Sequence, residues 1–229
     1  MGIWDSPRLQ RMMATNTFNL AMITSTPVTI YFSIPPGKLE GYAPVIRLFM
    51  GMLIKRLSSF SGRGAYPVLF MLDEFPALGR MKVVEEGMAY MAGYGISFWL
   101  FAQDLKQLAA TYGDKAHSII SNCAVKQFFG IADVETAQLV SLMSGETTIP
   151  SISYSNEAGL TVNNGSTTLS SGARPLFTPN ELMSAPDGSQ LLFYRGQQVV
   201  SSVKVNYLTD NLFKAADGRP IYEENPFHR

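Results

Sequence analysis

Five apolar residues run into two adjacent carboxylates in Val68-Leu69-Phe70-Met71-Leu72-Asp73-Glu74. An acid leaving the C-terminal end of a buried strand stands where ligands bind in open α/β sheets. There Asp73 could hold Mg²⁺ directly or through water. Glu74, one residue on, could orient or deprotonate a water that attacks a phosphate. A second apolar run, Ile96 to Ala102, ends in Gln103, thirty positions after Asp73. An amide on the same sheet edge can donate to a terminal phosphate and accept from water, so Gln103 would report whether a nucleotide is intact. Each string alone also has a plainer reading. Buried strands often end in an acid at the surface, and Gln103 could cap a helix beginning at Asp104.

Other candidates carry less. Arg80 follows Gly79 shortly after the acid pair and would either reach a phosphate on a neighbouring subunit or sit solvated. Gly93-Tyr94-Gly95 reads as a tight helix-to-strand turn. His117 and His228 lack a spaced Cys, His or acid partner, so no metal or nucleophile constellation is supported. The twelve methionines read as core filler. The sequence contains no Gly-x-x-x-x-Gly-Lys-Ser/Thr loop to cradle phosphates. It therefore holds the acidic half of a phosphate site without the basic half.

The elements that must position these groups follow from apolar patterning. Pro27 to Ser33 is a β-branched and aromatic run closed by Pro35-Pro36-Gly37, which predicts a strand. A helix is expected from Pro44 to about Phe60, with Pro44 in its first turn. Ser61-Gly62-Arg63-Gly64 reads as a loop. Val68–Leu72 and Ile96–Ala102 read as strands buried on both faces, separated by a helix over about 81–91. Short helices are expected at 105–110 and 115–121, then a fourth strand over 123–131 and a helix capped by Asp133. Alternating helices and doubly buried strands predict an α/β fold with a mostly parallel, helix-covered sheet. Residues 151–173 are rich in Ser, Asn and Gly with Glu157 the one charge, and read as a flexible loop or a weak hairpin. Thr178-Pro179-Asn180-Glu181 is a capping box, and Gln190–Arg195 with Gln197–Val205 flank Gly196 as a closing strand pair.

Composition excludes several classes. With 229 residues, 46% of them hydrophobic and 16% charged, the chain can bury a sizeable core but has little solvated face. Eighteen basic against eighteen acidic residues argue against nucleic-acid binding by bulk charge. One cysteine, Cys123, excludes a disulfide scaffold. The most apolar stretch, 42–60, carries Arg47, Lys55 and Arg56 and is no membrane span. The N-terminus lacks a signal peptide's features, so the chain is expected to be soluble by itself.

Val68 to Gly79 resembles the Walker B segment of the type IV coupling proteins, the TraG/TraD-like ATPases of bacterial conjugation and type IV secretion. Pro27-Val28-Thr29-Ile30-Tyr31, Ala92-Gly93-Tyr94-Gly95-Ile96, Phe101-Ala102-Gln103, Asn122 with Phe128-Phe129-Gly130, and Ser144-Gly145-Glu146-Thr147 continue the likeness in order. Arg174 to Glu181 and Gln190 to Gly196 close it. The ordered set, over roughly 15–215, is what makes the resemblance specific.

The resemblance implies the C-terminal part of a RecA-like nucleotide-binding domain. Residues 1–22 would be a helical lead-in from an inserted all-α region, and 23–150 the core containing Walker B. Residues 151–173 would be a flexible loop, 174–215 the end of the domain, and 216–229 a tail. It also implies ATP and Mg²⁺ as cofactors, with Asp73 on the metal and nucleotide, Glu74 catalytic, and Gln103 both catalytic and nucleotide-binding. Implied partners are other subunits of a homo-hexamer, relaxase–DNA or effector proteins, and channel components, at the cytoplasmic face of the bacterial inner membrane. Some relatives carry an arginine before the Gly-Tyr-Gly turn, where this chain has Ala92. Lacking Walker A, the chain is expected not to hydrolyse ATP alone. Two rival readings remain: a non-catalytic interaction module or truncated product that binds a full-length coupling protein, and a related hexameric DNA translocase.

Overall fold

The computed structural model describes residues 3–15, 19–59, 64, 66–155 and 166–214. Its chain divides into two compact units, Met1–Cys123 and Ala124–Arg229. Most of the Ser61-Gly62-Arg63-Gly64 loop and all of the 216–229 tail lie outside the described residues.

In the first unit, helix α1 (Pro7–Ala14) precedes helix α2 (Leu39–Ser58). Strand β1 (Val68–Leu72) is followed by helix α3 (Lys82–Gly87), strand β2 (Ile96–Leu100), and helices α4 (Leu105–Tyr112) and α5 (Lys115–Asn122). β1 and β2 pair in parallel, from Val68 opposite Ile96 to Leu72 opposite Leu100. α2 presents Ile46, Met50, Leu53, Ile54 and Leu57 at 3–4 spacing to a core that includes Phe70, Leu72, Phe75, Val84 and Ile96. Phe75, Ile54 and Val84 are fully buried there.

Four expectations change in this unit. α2 begins five residues before Pro44, which lies inside the helix rather than in its first turn. Lacking an N–H, Pro44 cannot bond the Glu40 carbonyl; α2 tolerates the loss because the rest of its length is anchored in the core. Residues 27–33 form no regular element, and no described strand pairs with them. Val28, Ile30, Tyr31 and Phe32 stay exposed, with Phe32 resting 4.7 Å from the Phe49 ring. β-propensity expresses fit to a neighbouring strand, so the run forms no ladder without one. β1 and β2 are buried on one face only, since Leu69, Met71 and Trp99 are exposed on the other. The helix expected over 81–91 is confined to α3, and a 3-10 turn at Met91–Tyr94 follows it.

The second unit holds strand β3 (Val125–Phe129) and helix α6 (Val134–Ser144), then strands β4 (Glu146–Ser155) and β5 (Ser166–Pro175). Helix α7 (Pro179–Met183) and strands β6 (Ser189–Tyr194) and β7 (Val200–Val203) complete it. The sheet order is β3-β6-β7, antiparallel throughout. The expected fourth strand thus forms, but it joins this antiparallel sheet, and parallel pairing among the described residues is confined to β1 and β2. Ala137, Val140, Leu182 and Leu191 form the core under Phe128 and Phe193. Of the stretch 151–173, expected as a flexible loop or weak hairpin, residues 156–165 lie outside the described residues; the rest belongs to a long antiparallel strand pair, β4 with β5 from Glu146 opposite Pro175 to Ser155 opposite Ser166. The backbone ladder tolerates Ser and Thr readily, and composition alone hides it. Asp133 and Thr178 cap α6 and α7 as the sequence predicts, Thr178 with a complete capping box.

Ile54, 0% exposed in the C-terminal half of α2, is central to the first unit's packing. Ile54→Ala should cost about 3 kcal/mol through lost burial and the cavity left behind, read as a lower urea midpoint. A loss below about 1 kcal/mol would mean that α2 is not docked as described.

Candidate functional site

Parallel pairing brings residues 28 positions apart to one level, Leu72 opposite Leu100. The ladder continues past both strands: the Phe101 N–H donates to Leu72 O (3.1 Å) and the Phe75 N–H to Phe101 O (2.9 Å). Asp73, Glu74 and Gln103 therefore leave the same edge. The Gln103 amide Nε2 donates to Glu74 Oε1 at 2.6 Å. The capping alternative for Gln103 is answered by its neighbour, since the Asp104 carboxylate accepts from the Gln107 N–H at 2.7 Å and caps α4. Gln103 is left to hold Glu74.

Asp73 is exposed, and no described residue pairs with its carboxylate. That donor set suits Mg²⁺, which takes one or two carboxylates and fills its octahedron with water and substrate phosphates. No group of three or more His, Cys, Asp or Glu that could hold a metal occurs among the described residues, so an all-protein cage is not formed. An open hollow of about 600 Å³ in this unit is lined by Lys38, Glu40 and Tyr42, among others, and by none of Asp73, Glu74 or Gln103.

Glu74 has φ 50° and ψ 43°, the one non-glycine residue at positive φ among those described. The left-handed conformation costs an L-residue roughly 1–2 kcal/mol, and such strain collects at functional sites. The turn after it, Phe75–Leu78, is tied down on several sides. The Ala77 N–H donates to Glu74 O at 2.8 Å. The Arg47 guanidinium donates to Leu78 O at 2.5 Å. Gly79, at φ 72°, leaves room for that arginine, because a Cβ there would meet Arg47 Nη1 at 2.7 Å. From α4, the Thr111 hydroxyl shares its proton between Pro76 O (3.3 Å) and Gln107 O (3.2 Å), while the Tyr112 hydroxyl accepts from Met81 N (3.2 Å) and donates to Gly79 O (3.4 Å). The Tyr112 ring stacks on Phe75 at 5.0 Å. Burial pushes the Tyr112 phenol up to about 12 from the usual 10, partly offset by the Met81 N–H.

Arg80 is held by Glu85, through Nε and Nη2 at 3.0 and 3.2 Å. Its hydrogen bonds draw the Glu85 carboxyl below the usual carboxylate range, so the chain's own acid occupies the cation that could have faced a phosphate. Sequence reasoning passed over Arg47, Thr111 and Tyr112. Leu105, Leu108 and Tyr112 lie at helical spacing, a signal that could have placed Tyr112 in the core but not its hydroxyl as a tie.

The family described as type IV secretory system conjugative DNA transfer matches residues 1–225. Conjugal transfer protein TraG of Escherichia coli is 27% identical over 247 aligned positions, covering 96% of this chain and 39% of TraG. VirD4 of Rhizobium rhizogenes is 28% identical over 217 positions, covering 93% of this chain and 32% of VirD4. The chain thus spans two fifths or less of the length of these relatives. The bacterial conjugative coupling protein TrwBdeltaN70, unbound, superposes with a TM-score of 0.68 at 16% identity, over 81% of this chain and 43% of that one. TrwB in complex with ADP and Mg²⁺ gives 0.57 at 14%, over 73% and 37%. At these identities the structural likeness shows the fold: mixed α/β of the TrwB RecA-like kind.

Two outcomes test the site's backbone and anchor. Glu74→Gly should melt at or above the wild type, and Glu74→Ala about 1 kcal/mol below Glu74→Gly, because only glycine escapes the left-handed penalty; equal melting of the two would refute the geometry. Tyr112 adds a pH signature. The unfolded chain releases this proton from about pH 10, whereas the folded chain keeps it to about 12. The neutral phenol's contribution is complete below pH 10 and is lost as pH rises to 12, about 2 to 3 kcal/mol in all. The stability of wild type minus Tyr112→Phe, from denaturant titrations, should fall across that window; a flat difference would contradict the burial.

Proposed function

This chain belongs to the type IV secretory system conjugative DNA transfer family, and from that premise we propose that it is the C-terminal part of a coupling protein's RecA-like motor domain. The observation that carries the proposal is the Glu74–Gln103 pair beside Asp73, which pairs with no described residue, on one edge of a parallel strand pair. Asp73 would hold Mg²⁺, and bound ATP with its magnesium would supply the reactive anhydride and the neutralising charge. Glu74 accepts a proton at its carboxylate from an adjacent water, and the Gln103 amide fixes the carboxylate that receives it. Gln103 also senses the terminal phosphate, through the second Nε2 proton, which Glu74 does not use. Two of the structural neighbours are complexes of TrwB with ADPNP and with ADP and Mg²⁺, which supports nucleotide binding in this reading.

The whole protein would then be a homo-hexameric motor at the cytoplasmic face of the inner membrane. It would pass relaxase–DNA or effector proteins to a type IV secretion channel. The domain would run through the core at 23–150 and the closing segment at 174–215, with 1–22 as its helical lead-in. Within this chain the acid edge lacks a Walker A loop, so we expect binding without turnover. No helix among the described residues is long and apolar enough to cross a membrane.

The missing lysine-bearing loop also favours a second reading, an interaction module that binds a full-length coupling protein without hydrolysis. Purified chain, assayed by phosphate release with ATP and Mg²⁺, should turn over no faster than a Glu74→Gln control. Turnover that Glu74→Gln abolishes would overturn the inactivity. Adding a full-length relative decides between the readings: stimulated hydrolysis that requires Asp73 and Glu74 supports the motor reading, and capture without stimulation supports the module.

A further inference from the structure

We propose that Tyr112 is a positioning residue for the Glu74 carboxylate, acting through helix α4, which with the Gln103 that leads into it grips the acid-bearing turn at two places. The significance of Glu74 as a base rests on the motor reading above; the grip itself does not.

α4 has eight residues and so is about 12 Å long. At its N-terminal approach, Gln103 donates to Glu74 Oε1 at 2.6 Å. At its C-terminal end, Thr111 reaches Pro76 O, and Tyr112 touches Phe75, Gly79 and Met81. The segment 74–81 is thereby fixed at two separated points, at the residue leading into the α4 cap and at the far end of α4. With one attachment the turn could pivot about it; with two, its orientation relative to α4 is set. Glu74 needs that constraint more than its neighbours do, because its left-handed backbone has no glycine to make the conformation free.

Tyr112 is suited to the far attachment. Its side chain is 3% exposed, so the ring is held by packing and brings the hydroxyl to a fixed place. One hydroxyl serves both the Met81 N–H and the Gly79 carbonyl, two backbone groups on either side of Arg80. Met81 is itself 2% exposed, and its N–H loses this partner if the hydroxyl goes. The turn can then re-orient, and the displacement reaches Glu74 five residues upstream of Gly79. Gln103, one residue before the Asp104 cap of α4, then meets its acceptor in a different place.

The test uses ¹⁵N-labelled full-length chain and NMR solvent exchange, with no nucleotide and no turnover, so its result is separate from the ATP reading. Tyr112→Phe keeps the ring on Phe75 and removes the hydroxyl. The Met81 backbone amide should exchange about tenfold faster, and the Gln103 Nε2 protons should exchange several-fold faster, towards the rate in Glu74→Ala, where their acceptor is absent. Ile119→Val, a buried change in the same unit, controls for general loosening and should leave Gln103 unchanged. An accelerated Met81 with an unchanged Gln103 would make Tyr112 merely structural and overturn the proposal, as would equal acceleration of Gln103 in Ile119→Val. Should Tyr112→Phe fail to fold, Thr111→Val, which removes the bond to Pro76, is read in the same way. An unchanged Gln103 in that variant would likewise overturn the double grip.

Discussion

The register of two parallel strands governs this chain's candidate chemistry. A one-residue slip between β1 and β2 would send every side chain of one strand to the opposite face. Phe70 and Leu72 would leave the core, and Gln103 would no longer lie level with Glu74. The register is fixed by burial: Phe70, Leu72 and Ile96 are each under 8% exposed against α2. Hydrophobic packing worth several kcal/mol thus sets an exposed hydrogen bond that by itself contributes about 1 kcal/mol. The polar pair reports the register and does not create it.

The turn that follows shows the reverse economy. Glu74 sits in an unfavourable backbone conformation, and its stabilisation comes from neighbours rather than from itself. Phe75 is fully buried under Tyr112, Arg47 bonds Leu78 O, and Gly79 yields space to that guanidinium. None of these ties is strong alone. Together they exceed the roughly 1–2 kcal/mol of left-handed strain, because burying Phe75 alone is worth more than that. A carboxylate whose backbone is fixed in this way has little reorganisation left to do when a water must be positioned.

Both units leave sheet faces bare. Leu69, Met71 and Trp99 are exposed on the parallel pair, and Val125, Phe129 and Tyr194 on the antiparallel sheet. Parallel sheets occur almost entirely with both faces covered. The apolar strand sequences that suggested double burial were therefore read correctly as chemistry, while the contacts they ask for are not made among the described residues. The same holds for residues 27–33, a strand sequence without a strand beside it.

Much was legible beforehand. The acid pair after β1, the amide after β2, the caps at Asp133 and Thr178, and the α/β alternation each follow from local patterning, because apolar period, turn chemistry and strand-end position are written in neighbouring residues. The left-handed backbone of Glu74, the Pro44 inside α2, the transfer of β3 to an antiparallel sheet and the capture of Arg80 by Glu85 were not. Each depends on a competition between partners remote or alternative in the chain. The amino-acid order by itself determined which chemical groups stand at the strand ends. The tertiary structure alone decided that Gln103 spends its amide on Glu74 while Asp104 takes the helix cap, since only the packed register puts one acceptor nearer than the other.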